Sequence, residues 1–323
     1  MIFVLIIVFI ALCVHLLRTG LAYKAWAAPA GESFKGELFS LGDNLVCVPD
    51  RSHLSVDVIN KTTVICFPGF LEDMRFFLNV HKNTPARLII INNANYQNPF
   101  SSAVSPTPEW FQSSSYLLGT IAHDAHCMNQ VLKNMTGNES VLLHGHSRGG
   151  AVVLEAGVQQ PEQSRKIQAL LEAAVVPQGL LAGRRSQKQQ PISFYFLPFV
   201  LTSWRLMSPT QLMRHPMMQV SNAYKEKIAG ALPFAPRQYT TAVTSAKDII
   251  DWQAKTAITS YTNYHTTTLV VGEKDHVLSR KAMLRSANSC PKVEVIETLG
   301  TNHFPSLEKP EVIHDYFHNK ING

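Results

Sequence analysis

Charge is scarce in this chain. Only 16% of its 323 residues are Asp, Glu, Lys or Arg, against roughly a quarter in an average soluble domain. The formal charge of +6 is modest. No run of Lys and Arg forms the basic stripe that a nucleic-acid surface needs, so no nucleic-acid partner is expected. No C-x-x-C pair occurs either. The cysteines are Cys13, Cys47, Cys66, Cys127 and Cys290, an odd set of five, which argues against a disulfide framework and a structural zinc site. Cys66 lies in an apolar run, where a thiol serves as a small buried hydrophobe. Internal repeats and low-complexity tracts are also missing. What remains is a globular composition with 46% apolar residues and ample length for a buried core.

The first feature present is a leader. Met1–Leu17 is almost unbroken apolar, with His15 the one strongly polar exception. This is near the lower limit for a spanning helix. A cleaved signal peptide would want a basic segment ahead of the apolar run, and none is there. Ala25-Trp26-Ala27 or Ala28-Pro29-Ala30 would serve as its cleavage site. An uncleaved anchor over residues 1–20 fits the missing basic segment better. Arg18 and Lys24 both follow the span, which places the body on the cytoplasmic side by the positive-inside rule. Membrane association through a single N-terminal pass is therefore expected, with export after cleavage as the alternative.

Beyond the leader the chain alternates strand and helix patterns. Gly36–Leu41 and Leu45–Val48 are short strands around a Gly42-Asp43-Asn44 turn. Thr63–Phe67, Ala86–Ile91 and Ile167–Val176 are apolar, buried-type strands. A helix is predicted over Ser115–Met135, with Leu117, Leu118, Ile121, Ala125, Met128 and Leu132 on one face. Strands recur at Thr267–Val271 and Lys292–Ile296, before a closing helix from about Lys309 to His318. Such alternation implies an α/β fold, a mostly parallel sheet with helices on both faces. Residues 30–177 and 265–323 form its core. Between them, residues 178–264 break the alternation and carry Met and aromatic residues. Ser208-Pro209-Thr210 there reads as a helix start. This segment is expected to be a helical lid inserted at the carboxyl edge of the sheet.

The chain is organised around Gly145-His146-Ser147-Arg148-Gly149-Gly150. Val141-Leu142-Leu143 enters it and Ala151-Val152-Val153-Leu154-Glu155-Ala156 leaves it. Strand, tight turn, helix is the context of a G-x-S-x-G nucleophile elbow. The small flanking residues let strand and helix approach, and lift Ser147 above the sheet edge. An elbow serine needs a base and an orienting acid. His303, in Gly300-Thr301-Asn302-His303-Phe304-Pro305, follows the last strand. Asp275, in Gly272-Glu273-Lys274-Asp275-His276, follows the strand before it. Both lie where parallel strands end at their carboxyl edge, in the order Ser, Asp, His.

On these residues the chain resembles the α/β-hydrolase superfamily, in its lidded serine esterase and lipase branch, from about Thr62 to the C-terminus. The resemblance implies Ser147 as nucleophile, His303 as general base and Asp275 as the group that orients it. It implies an oxyanion hole from the backbone N–H groups of Phe70 and Arg148. Many relatives have His-Gly at the first oxyanion loop, whereas this chain has Pro68-Gly69. Proline has no N–H, but the donor follows the glycine. The chemistry expected is cleavage of carboxylic esters, lipophilic acyl esters above all, through an acyl-enzyme, with no metal or organic cofactor. A serine at the elbow argues against the dehalogenase and epoxide hydrolase branches, which use aspartate. An acyltransferase or thioesterase with the same triad remains open, as does a non-catalytic binding protein on this fold.

Other residues have lesser claims. Glu172 is the alternative acid. His144 and His146 flank the elbow as packing or hydrogen-bonding residues. His123 and His126 lack metal partners at a recognisable spacing. The sequons at Asn60, Asn134 and Asn138 matter only for a lumenal body. The lid holds an excess of basic residues, among them Arg184, Arg185, Lys188, Arg205, Arg214, Lys225 and Arg237, a composition that suits an anionic membrane surface.

Overall fold

The computed structural model describes residues 1–28, 31–56, 61–183 and 190–320. Pro29 and Ala30 of the second cleavage motif, Asn60, Arg184, Arg185 and Lys188 lie outside the described residues.

Eight strands form one sheet in the order β1-β2-β4-β3-β5-β6-β7-β8. They are β1 Gly36–Leu41, β2 Asn44–Pro49, β3 Thr62–Phe67, β4 Arg87–Ile91, β5 Ser140–His146, β6 Gln168–Glu172, β7 Thr266–Gly272 and β8 Val293–Thr298. β1 and β2 are an antiparallel hairpin, and β2 meets β4 antiparallel. Every pairing from β4 to β8 is parallel. The central strands are apolar without alternation because both of their faces are covered. Ile65 and Phe67 pack toward one layer of helices and Val64 and Cys66 toward the other.

The first layer holds the helices Ile121–Met135, Arg148–Gln159 and Arg280–Asn288. The second holds Arg75–Val80 and Glu311–Lys320, together with residues of the insertion. All five cysteines are free thiols. Burial pushes the Cys66 thiol far up, as expected for a thiol packed as a hydrophobe.

Two elements differ from the sequence expectation. The helix expected from Ser115 starts at Ile121. Gly119 has φ +83°, and Thr120 then caps the helix by accepting from the His123 N–H. The strand expected to run to Val176 stops at Glu172. Ala173 has φ 40°, which turns the chain under the elbow so that the Val175 N–H reaches the Ser147 carbonyl, 2.9 Å away.

The insertion is helical where described: Gln190–Tyr195, Leu197–Arg205, Pro209–Met213, Ala223–Ala231 and Tyr239–Lys255. Ser208 makes the expected N-cap, as part of a capping box with Gln211. The last helix packs on the first layer. Asp248 accepts the Ile121 N–H at 2.6 Å and Glu155 accepts the Trp252 indole N–H at 2.9 Å.

The leader is one helix, Ile2–Tyr23, whose apolar residues up to Leu17 are exposed apart from half-buried Val14. It is long and apolar enough to cross a membrane. Its C-terminal end docks on the body. Ala22 is buried, the Arg18 guanidinium donates to the Tyr195 carbonyl and stacks over its ring, and Gln238 donates to the Tyr23 carbonyl. The Trp26 N–H donates to the Arg237 carbonyl at 2.9 Å, and its ring is flanked by Lys24 and Arg205.

Candidate active site

β5 delivers Ser147 at its carboxyl end, directly ahead of the helix Arg148–Gln159. Ser147 has φ 52°, ψ −118°, a strained region for any residue with a Cβ. The strain persists because the crossing is tight. A Cβ on Gly149 would sit 1.9 Å from the Phe67 carbonyl oxygen, and one on Gly145 2.3 Å from the Gly149 oxygen. No side chain fits at either position. The turn lifts the Ser147 hydroxyl toward the loops after β7 and β8.

Those loops bring Asp275 and His303. His303 Nε2 is 3.0 Å from Ser147 Oγ, and His303 Nδ1 is 2.9 Å from Asp275 Oδ2. The other Asp275 oxygen accepts the Val277 and Leu278 N–H groups, each at 2.8 Å. Burial pushes the Asp275 carboxyl up, but His303 and these two donors outweigh it and hold it below the usual carboxylate range. An ionised Asp275 fixes the proton of His303 on Nδ1 and leaves Nε2 as the acceptor facing the serine.

Phe70 lies in the loop after β3, and Arg148 opens the helix after Ser147. Among the described residues neither backbone N–H has a hydrogen-bond partner. The neighbours of Phe70 are engaged: Gly69 N–H donates to Glu72 and Leu71 N–H to the Tyr96 hydroxyl. Arg148 itself is fully buried. Its guanidinium donates to Asp124, Asn93 and the Gly119 carbonyl.

Glu172 is directed elsewhere. One of its oxygens accepts the Ser306 N–H at 2.7 Å, and the other lies 3.2 Å from His144 Nε2. His144 Nδ1 is in turn 2.9 Å from His81 Nε2. Burial holds both of these imidazoles below their ordinary range. His123 and His126 lie on the helix Ile121–Met135, one near Asp124 and one on the Gln112 carbonyl.

Sequence spacing gave no sign of two clusters, Cys66-His81-His144 and Glu72-His146-His303, whose polar atoms converge. In each cluster two of the three groups already hydrogen-bond each other. Glu72 was missed altogether. The one available signal was an acid directly after the Pro68-Gly69-Phe70-Leu71 loop.

The site is roofed. Ser147, His303 and Asp275 are 6%, 3% and 8% exposed. Met213 and Met218 of the insertion share an apolar cluster with Phe304 and Leu71, the neighbours of His303 and Phe70. Asn302 donates to the Pro216 carbonyl at 3.0 Å, and its N–H donates to Glu308. Glu308 in turn pairs with buried Lys225 of the insertion.

A mostly parallel sheet carrying a serine on a strained strand-to-helix turn, with a carboxylate and an imidazole in the loops after β7 and β8, is the α/β-hydrolase architecture. The Alpha/beta hydrolase family matches residues 64–315, and the chain belongs to that family. No curated protein matches the sequence. Solved structures do match it at low identity. E-2-(acetamidomethylene)succinate hydrolase is 13% identical, covers 90% of this chain and all (100%) of its own, and has a TM-score of 0.62. An esterase from Exiguobacterium antarcticum is 14% identical over 89% of this chain and 100% of its own, with a TM-score of 0.62. A thermophilic esterase from Thermogutta terrifontis is 14% identical over 90% and 98%, with a TM-score of 0.61. These likenesses concern the fold.

Proposed function

We propose that the protein is a serine ester hydrolase for lipophilic acyl esters, held at a membrane by its N-terminal helix. The observation that carries the chemistry is the unbroken chain from Asp275 through His303 to Ser147, with links of 2.9 and 3.0 Å. A serine hydroxyl is a weak nucleophile alone. His303 Nε2 takes its proton as Oγ bonds to the ester carbonyl carbon. Asp275 stabilises the imidazolium that forms. The carbonyl oxygen becomes an oxyanion, and the N–H groups of Phe70 and Arg148 receive its charge. Collapse breaks the ester C–O bond, and His303 returns the proton to the departing alkoxide. Water, deprotonated by the same histidine, then attacks the acyl-enzyme and releases the acid.

The lipophilic half of the reading rests on the insertion, which acts as a lid over residues 178–264. Its inner residues Leu201, Met213 and Met218 are apolar, and methionine adapts to irregular acyl chains. Its outer side keeps large apolar residues in water: Leu206 is 86% and Phe196 43% exposed. The helix Leu197–Arg205 packs against the leader helix, so this greasy rim surrounds the point where the leader leaves the body. Trp26, Lys24 and Arg205 beside it make the aromatic and basic pairing typical of a membrane interface. A leader whose end is built into the body in this way fits an anchor better than a peptide destined for removal.

The test is labelling of the purified full-length protein with a fluorophosphonate probe. Covalent labelling that disappears in Ser147→Ala is expected. Equal labelling of both proteins, or none of the native one, would overturn the assignment.

A further inference from the structure

His146, the residue before the elbow serine, is fully buried and uses both ring nitrogens. Nδ1 is 2.8 Å from Glu72 Oε2, and Nε2 is 2.7 Å from the His303 carbonyl oxygen. A carbonyl only accepts, so Nε2 carries a proton. Glu72 Oε2 already accepts the Gly69 N–H at 2.7 Å, and a carboxylate oxygen there accepts from Nδ1 too, so Nδ1 carries a proton as well. Two donated protons make an imidazolium. Its ring packs against Phe76 and Phe304, with centroids at 4.5 and 5.2 Å.

We propose that Glu72 and His146 are positioning residues, an ion pair that couples the loop carrying the Phe70 oxyanion donor to the loop carrying His303. Glu72 holds one loop: its carboxylate lies so close to Gly69 that a Cβ there would meet it at 2.6 Å. His146 holds the other through the main chain of the base itself. The two loops follow strands that are not neighbours in the sheet, β3 and β8, so sheet pairing does not fix one against the other. The pair supplies that fixed distance. Burial opposes the charge on His146, but the charge and hydrogen bond of Glu72 outweigh it, and Glu172 adds to the effect. Together they raise the imidazole from 6.5 to about 9. The groups facing His146 are thus Glu72, Glu172, His144 and His303.

The inference rests on the esterase reading, and its test has two arms. The first needs no activity. Nitrogen NMR of 15N-histidine-labelled protein should show His146 doubly protonated at pH 8 in the native chain and singly protonated in Glu72→Gln. A neutral His146 in the native chain overturns the proposal. The second arm is steady-state hydrolysis of p-nitrophenyl butyrate. Outright loss of one oxyanion donor costs about 100–1,000-fold in kcat. Misplacing a donor is expected to cost less, roughly 10–100-fold in Glu72→Gln and in His146→Phe, with KM within about twofold. The double variant should be no slower than the slower single, and Glu72→Asp should recover part of the loss. Unchanged kcat, a loss confined to KM, or multiplying losses in the double variant would overturn it. Should His146→Phe fail to fold, the two Glu72 variants and the titration decide. If the native protein is neither active nor labelled at Ser147, the esterase reading fails, and the NMR arm alone decides whether the charged link exists.

Discussion

The Arg148 guanidinium lies 2.7 Å from the Asp124 carboxylate, and neither side chain reaches solvent. The backbone of Arg148 opens the helix directly after Ser147 while its side chain runs back beneath the elbow. There it ties the helix after Ser147 to the helix Ile121–Met135, to Asn93 after β4 and to Gly119. One residue thus joins the start of the elbow helix, the proposed oxyanion donor, to the supporting layer.

Removing one partner should therefore be costly. Burial pushes the Asp124 carboxyl up, but Arg148, His123 and Asn44 outweigh it and hold it below its ordinary range. Asp124→Ala leaves a buried unpaired guanidinium, and a loss of about 3–5 kcal/mol is expected. Chemical denaturation measures it. A loss under about 1 kcal/mol would mean that water or another acceptor replaces the carboxylate.

The strain at Ser147 gives a second expectation. Ser147→Ala and Ser147→Gly should both abolish ester hydrolysis. Only glycine relaxes the positive φ, so Ser147→Gly should be the more stable of the two by about 1 kcal/mol. Paired thermal melts decide it. The reverse order would show that the turn is not strained.

The two carboxylates near the base are separable by kinetics. Asp275→Asn should lower kcat by about 10,000-fold, as loss of the orienting acid does in the serine-protease template. Glu172→Gln should leave kcat within about tenfold and act on stability instead, since its hydrogen bond goes to the Ser306 main chain. Severe loss in Glu172→Gln with a mild Asp275→Asn would exchange their roles.

The charged imidazole has a signature in the stability curve. Its value is raised from 6.5 to about 9 in the fold. The stabilisation is then fully present below about pH 6.5 and is lost as pH rises through about 9. Chemical denaturation from pH 6 to 10 should show this alkaline decline in the native protein. The decline should flatten in Glu72→Gln, where the main support for the second proton is gone and Glu172 alone remains. An equal slope in both proteins would place the titration in some other group.

Substrate length tests the acyl-chain reading. Each buried methylene is worth about 0.8 kcal/mol, close to fourfold. kcat/KM should climb from acetyl toward octanoyl esters, measured below their aggregation limit on a chain beginning at Lys24. A flat or falling series would favour a small polar substrate.

The elbow and its partners were legible because their signals are local. Gly145 and Gly149 announce the crossing, Asp275 follows the apolar strand end Leu269-Val270-Val271, and His303 follows the alternating strand Val293–Thr298. Glu72 and His146 were not legible as a pair. They are far apart in the chain and meet only because β3 and β5 are adjacent in the sheet. Local spacing carries no trace of that. The same holds for the His81-His144-Glu172 chain. At the start of the helix Ile121–Met135, Leu117 and Leu118 continued the apolar period, and the period concealed the turn at Gly119. At Ala173 the apolar run continued past the true strand end, because residues under an elbow are as buried as those in the strand.

The way the leader joins the body governs how freely the molecule can swivel. Trp26 is held by the Arg237 main chain and by Gln97, and Tyr23 by Gln238, so there is no slack between helix and body. A helix of 22 residues is a stalk about 33 Å long. A body on a floppy leash would sample a hemisphere and meet targets on facing surfaces. On the proposed anchored reading, a body clamped at the foot of its stalk keeps one attitude, and its reach is confined to molecules diffusing in the plane where the stalk is planted.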